Sequence, residues 1–351
     1  MEVNQRFDKI RKILILRIDG IGDVLNSTPA ISALHKTYPK AKITVIVKPH
    51  GAEILYRNLD IDEIIVYDPN NQHKGLIDKI NFFKKLRSGG YDTAVVLNNS
   101  SMSNFMAYVS GAKIRAGRRS EPKRFSHTLT HWVSNKDPKG TKHEVDRNLD
   151  IVRLLNIDNN ASDLVLNLSE DEKADADDFL RLNKNDGSCL MGIHPGGSSF
   201  DKLWSPENFA EIADRLIDEF NARVILFTGP GEENLAQNIL TKVKNPLIFA
   251  SGIKLRQFSA LVERCSLFVC NDSGPMHIAS ALKVPTVAIF GPTDYVRWRP
   301  RNENAVVVRK DMDCWPCSAH KCKRSYECTK ILPVSQIWKA IVELTSKAFM
   351  C

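Results

Sequence analysis

An α/β protein built from two doubly wound parallel-sheet domains is the fold class this chain predicts, on three observations. Short apolar runs alternate with helical patterns in both halves of the sequence. Two of those runs end in a glycine-bearing turn that opens directly into a helix. The 351 residues, 43% of them apolar, are enough to bury two cores.

In the first half, apolar runs fall at 13–16, 43–47, 64–66 and 93–97, with helical patterns at 28–38 and 76–88 between them. The opening strand has basic flanks at Lys12 and Arg17. Ile18-Asp19-Gly20-Ile21-Gly22-Asp23 is the turn after it, which places Asp23 in the first turn of a helix at the lip of a sheet. The G-x-G-x-x-G spacing of a dinucleotide site is absent, since only Gly20 and Gly22 are present. Residues 111–142 read as a basic loop region carrying Arg115, Arg118, Arg119 and Arg124. A helix follows at 142–155, then an extended linker at 158–168. Ser169 caps an acidic helix at 170–182.

The second half starts its own strand series at 190–194, continued at 224–228, 247–250, 267–270 and 284–290, and 333–349 reads as a closing helix. The expected division is 1–165 and 166–335, with 336–351 as a helix that packs back on the first domain. Ligands in such folds bind at strand carboxyl ends. Three segments there carry chemistry. His194-Pro-Gly-Gly197-Ser198-Ser199-Phe-Asp-Lys202 is a glycine-serine loop whose hydroxyls and lysine suit phosphate oxygens. Gly229-Pro-Gly231-Glu232-Glu233 offers a carboxylate for ribose hydroxyls, without a choice between Glu232 and Glu233. Asp272-Ser273-Gly274-Pro275 leads into a small-residue helix containing His277, whose free N–H groups and positive end suit a diphosphate.

The balance of 49 basic and 41 acidic residues gives a net charge of +8. That is short of the density of a dedicated nucleic-acid binder. It fits an enzyme meeting anionic substrates or an anionic membrane surface. Residues 1–11 are too polar for a signal peptide, and no apolar run reaches the length of a membrane span. A cytoplasmic protein is expected, either free or peripheral on the cytoplasmic face of a membrane. Cys189, Cys265 and Cys270 read as core. Cys314, Cys317, Cys322 and Cys328 begin with zinc-like C-x-x-C spacing, but their later intervals are irregular for a zinc ribbon. The expectation is a loop packed by Trp315 and Pro316, with no required metal.

Three stretches together carry a resemblance: ILILRIDGIGDVLNSTPAISAL, HPGGSSFDKLWSPENFAEIADRL and NDSGPMHIASALKVPTVAIFGPTD. With the tail CWPCSAHKCKRSYECTKILP they are similar to the bacterial lipopolysaccharide heptosyltransferase family, glycosyltransferase family 9, over nearly the whole chain. The resemblance implies the GT-B fold, with two Rossmann-like parallel-sheet domains facing a central crevice. It also implies an inverting, metal-independent transferase without a cofactor, using a nucleotide-sugar donor and a lipid A-core or other anionic glycan acceptor. By this similarity Asp23 is the catalytic base and Lys202 contacts the diphosphate. Gly22, His194, Gly197, Ser198, Ser199, Asp272, Ser273, Gly274 and His277 line the donor site. Glu232 or Glu233 meets the ribose, although the local spacing departs from the family pattern. Asp19, Arg118, Arg119 and Arg124 are the acceptor-side candidates. Alternatives are a family member with another nucleotide sugar and surface-polysaccharide acceptor, or a non-catalytic glycolipid- or nucleic-acid-binding protein.

Overall fold

The computed structural model describes residues 10–120, 124–158, 163–184, 189–315, 317, 322 and 324–348. The chain divides into two compact units, Met1–Asn167 and Leu168–Cys351.

The first unit runs β1 (Lys12–Leu16), α1 (Ile21–Leu25), α2 (Thr28–Thr37), β2 (Lys42–Val47), α3 (Pro49–Leu55), β3 (Glu63–Val66), α4 (Leu76–Ser88), β4 (Thr93–Val96), α5 (Ser101–Val109), β5 (Ile114–Arg119), β6 (His131–Ser134) and α6 (Glu144–Arg153). Its described strands form one parallel sheet in the order β3-β2-β1-β4-β5-β6. β1 and β4 are hydrogen-bonded along Ile13–Leu16 and Thr93–Val96, so the order reverses between them. The central strands are buried on both faces, which is why they read as continuous apolar runs and not as alternating ones.

The stretch expected to be a basic loop contains two strands, β5 and β6. β6 is the edge of the sheet and alternates half-buried with exposed residues. Its pattern HWVS and the arginines of β5 therefore hide the strand signal. Asp23 sits in a short helix of its own, since α1 ends at Leu25 and α2 begins at Thr28 with Pro29 in its first turn.

The second unit runs α7 (Glu170–Leu182), β7 (Leu190–His194), α8 (Pro206–Phe220), β8 (Arg223–Phe227), α9 (Glu233–Leu240), β9 (Ile248–Ala250), α10 (Leu255–Glu263), β10 (Leu267–Asn271), α11 (Gly274–Ala281), β11 (Thr286–Phe290), α12 (Tyr295–Trp298), β12 (Ala305–Arg309), α13 (Glu327–Lys330) and α14 (Val334–Ala348). The described strands again make one parallel sheet, β12-β11-β10-β7-β8-β9, with the reversal between β7 and β10. β12 is half-buried throughout and was not anticipated. α7 starts with a reciprocal capping box between Ser169 and Glu172, as its Ser-x-x-Glu spacing dictates. Trp204, Phe209 and Leu216 pack with Ile337, Ile341 and Leu344 of α14 in the second core. α14 also contacts α8, β11 and β12 of the second unit.

Candidate active site

Both candidate centres stand where strand order reverses, the place in an open α/β sheet where two neighbouring crossovers diverge and leave a crevice above the strand ends. In the first unit this is the carboxyl edge of β1 and β4. Gly20 precedes α1, and Asp23 lies in its first turn.

The residue that organises this centre is Arg17, immediately after β1. Its side chain is 2% exposed. Nε donates to the Asp23 carbonyl at 2.9 Å and Nη1 to the Leu97 carbonyl at 2.5 Å. Nη2 donates to Asp23 Oδ1 and to Glu144 Oε1, both at 3.2 Å. Nη1 also lies 3.5 Å from Asp19 Oδ2. One buried guanidinium thus faces three carboxylates. Asp23, Glu144 and Asp19 together raise its proton affinity above the usual arginine value, against the opposing effect of burial. Arginine suits this task because its fork presents several donors in fixed directions and stays charged when desolvated. Glu144 is itself shared, with its Oε2 3.4 Å from Nε of Arg147. Asp19 accepts from Asn98 at 3.3 Å, and its carbonyl is 2.7 Å from the His50 ring.

Arg17 and Glu144 went unrecognised in the sequence. Arg17 reads as a basic strand flank, and Glu144 is remote in the chain. The available signal was an arginine closing a buried strand just before two aspartates.

In the second unit, Lys202 and Asp272 converge. Lys202 Nζ donates to Asp272 Oδ2 at 2.8 Å. The Asp272 side chain is 5% exposed and that of Lys202 22%. Lys202 ends the short 3-10 turn Phe200–Lys202, and Ser199 before it bonds the Asp201 carboxylate. Ser273 is the N-cap of α11, and Gly274 is its first residue. The Ser273 hydroxyl donates to the Asn271 carbonyl, so it does not itself cap the helix. Gly197 is half-buried and Ser198 exposed on the same loop. The arrangement sets an ammonium and backbone N–H groups at the start of one helix, which suits an anion.

Three residues hold this loop and were also missed. Asn271 Nδ2 donates to the Pro195 carbonyl at 2.6 Å, and its Oδ1 accepts from the Trp204 amide. Trp204 is fully buried and donates from its indole to the Leu332 carbonyl. Thr329 donates to the Asp201 carbonyl at 3.1 Å. No local motif reveals such ties, because each joins segments far apart in sequence.

Glu232 turns toward the same loop. Its Oε2 accepts from the Gly229 amide at 2.7 Å and lies 3.4 Å from His194 Nε2. A Cβ on Gly196 would meet the Glu232 carboxylate, so a larger residue there would push that side chain aside. Burial lowers the basicity of His194, partly offset by Glu232. Glu233 is exposed and bonds the Gly231 amide. His277 is buried edge-on to Trp298 at 6.4 Å between ring centres.

The acceptor-side expectation needs one correction. Arg118 is buried, and its guanidinium is bonded to Asp137, Asp150 and the carbonyls of Ser134 and Arg147. It braces β5 against α6 and has no face to offer a ligand. Arg119 is half-buried over the Trp132 ring, and Arg124 is exposed.

The cysteine-bearing tail packs on the loop after β11. The Trp315 indole donates to the Thr293 carbonyl, and Cys317 Sγ lies 3.8 Å from the Pro292 carbonyl. Pro316 lies outside the described residues. Burial and the neighbouring Cys317, Cys322 and Cys314 raise the Cys328 thiol pKa. Among the described residues no group of three or more His, Cys, Asp and Glu side chains is arranged to hold a metal ion. Cys265 and Cys270 are buried with their pKa values pushed up by desolvation, and Cys189 packs against the second core.

Two doubly wound sheets of this kind make up the GT-B fold, on which nucleotide-sugar enzymes are built. The model of glycosyltransferase family 9 (heptosyltransferase) matches residues 80–327, and the chain belongs to that family. It is 28% identical over 335 residues to lipopolysaccharide heptosyltransferase 3 of Escherichia coli K12, covering 92% of this chain and 95% of that one. The fold is similar to a family 9 glycosyl transferase from Veillonella parvula, with a TM-score of 0.85 at 23% identity over 96% of this chain and 98% of that one. It is also similar to E. coli ADP-heptose lps heptosyltransferase II, with a TM-score of 0.77 at 24% identity over 96% and 99%. The protein is therefore a glycosyltransferase.

Proposed function

We propose that this enzyme moves a heptose from ADP-heptose to an inner-core sugar of lipopolysaccharide, with inversion at the anomeric carbon. The observation that carries the reading is the Lys202–Asp272 pair at the start of α11, on a chain whose family relatives are heptosyltransferases. Asp23 takes the proton of the acceptor hydroxyl as its oxygen bonds to the anomeric carbon. The bond from that carbon to the diphosphate breaks, and the electron pair leaves on the phosphate oxygen. Lys202 and the amides opening α11 stabilise the charge that builds there. Asp272 holds the Lys202 ammonium in place beside the leaving diphosphate.

Arg17 aims the Asp23 carboxylate, and so positions it without touching the substrate. Glu232 stands nearest the Gly196 loop and is the better placed of the two glutamates for ribose. The first domain (1–165) takes the acceptor, with Asp19, Arg119 and Arg124 on that side, and the second (166–335) takes the donor.

A mass-spectrometric screen of ADP-, UDP- and GDP-sugars against lipid A-core acceptors tests this reading. ADP-heptose is expected to give the product of added heptose mass. Preferred turnover of a UDP- or GDP-sugar, or of an acceptor without inner-core sugar, would overturn it.

A further inference from the structure

Helix α4 carries apolar residues on two faces, and the fold uses only one. Phe82 and Leu86 are buried in the first core, and Phe83 stacks edge-on against Phe105 of α5 at 5.1 Å. On the other face Leu76 is 76% exposed, Ile77 72% and Ile80 43%. Residues 76, 80, 84 and 87 follow one another at helical spacing. That stripe begins with Leu76 and Ile80 and continues into Lys84 and Arg87, both exposed. Residues 74–88 hold five cations (Lys74, Lys79, Lys84, Lys85, Arg87) against one anion (Asp78), a balance of +4. Clustered exposed aliphatics mark an interaction surface. A basic border beside them selects an anionic partner.

We propose that α4 docks this enzyme on an anionic lipid bilayer. Leu76, Ile77 and Ile80 enter the boundary between headgroups and acyl chains, and Lys84, Lys85 and Arg87 meet lipid phosphates. A second copy of the chain would bring +4 against +4, which opposes self-association. A nucleic acid would call for exposed aromatic rings to stack on its bases, and this face offers aliphatics. No helix among the described residues is long and apolar enough to cross a membrane, so the contact is lateral. The inference deepens the proposed function, because it rests on an acceptor embedded in the same surface.

The test is co-sedimentation of the full chain with vesicles of phosphatidylcholine alone, or mixed with phosphatidylglycerol. Binding is expected only to the mixed vesicles and should weaken with salt. The triple substitution Leu76→Ser, Ile77→Ser, Ile80→Ser should weaken it by about tenfold or more. Lys84→Glu with Lys85→Glu should weaken it by at least about fivefold per charge removed. Both variants should keep turnover of donor with a delipidated, water-soluble acceptor, which shows that they fold. Ile77→Trp supplies an independent readout, its emission shifting to the blue and being quenched by brominated lipid in mixed vesicles. The proposal is overturned if the wild type ignores mixed vesicles, if the triple variant binds like the wild type, if the tryptophan stays in water, or if the wild type is a dimer that the triple variant dissolves. Loss of ADP-heptose turnover on the soluble acceptor by the wild type would instead defeat the functional reading and leave the vesicle result standing.

Discussion

The two glycine-turn centres share a backbone device and differ in sign. Each follows a central parallel strand at the reversal of strand order and opens into a helix. In the first unit one buried arginine is surrounded by Asp19, Asp23 and Glu144. In the second, one carboxylate holds one lysine beside a helix N-terminus, and among the described residues no second acid is bonded to that lysine. The first therefore keeps an excess of carboxylate, which suits the proton acceptor proposed there. The second presents a cation and backbone donors, as a leaving anion requires. Topology supplies the place, and a few side chains at the strand ends decide the chemistry.

The largest expected effect breaks the first centre. Arg17→Met removes a buried cation bonded to both Asp23 and Glu144 and leaves Arg147 as the remaining described cation beside Glu144. Breaking a buried ion pair from one side costs about 3–5 kcal/mol. Chemical denaturation should show that loss, and a variant as stable as the wild type would mean that Arg17 is not the keystone. Next is Asp23→Asn, which keeps the shape but cannot take a proton. Turnover should fall by about a hundredfold or more, with donor affinity near wild type. A variant with undiminished turnover removes Asp23 from the mechanism.

The second centre should respond in binding. Lys202→Ala loses a charge-assisted contact worth about 1.5–3 kcal/mol, read as weaker ADP affinity by calorimetry. If ADP binds that variant normally, the donor has been assigned to the wrong unit. Thr329→Val removes one tie on the Lys202 loop and should cost about 0.5–1.5 kcal/mol of stability, with a smaller loss in donor affinity. Equal thermal midpoints for this variant and the wild type would show that the tail does not brace the loop.

The smallest effect is a pH dependence confined to the second unit. His194 is buried with a lowered pKa, so its unfolded form binds more protons below the ordinary histidine value of 6.5. Its contribution to stability is present above that value and lost as the pH falls toward its folded pKa. Hydrogen exchange should show the second sheet loosening with acid in this range, and His194→Gln should flatten the trend. An equal trend in that variant would assign the dependence to another group.

Much of this was open to reading before any coordinates. The strands β1, β2 and β4 and the donor loops declare themselves, because fully buried parallel strands must be apolar and turns into helices favour glycine, serine and aspartate. Asp23, Lys202 and Asp272 could be singled out on that basis. β5, β6 and β12 escaped because strands toward the sheet margins carry arginines or are half-buried, and so lose the apolar signature. Arg118 was misread for a related reason. A charge run in sequence does not distinguish a guanidinium facing solvent from one enclosed by Asp137 and Asp150.

What the sequence determined by itself was the α/β class, the two-part organisation, the two glycine-turn junctions and the acids and lysine beside them. These follow from local patterns, since hydrophobic period and turn chemistry act over a few residues. Only the tertiary structure decided which charges meet. Arg17 reaches Glu144 across 127 positions, and Lys202 reaches Asp272 across 70. Thr329 closes on Asp201 across 128. Such pairings depend on the order in which strands assemble, and that order is set by packing the whole sheet.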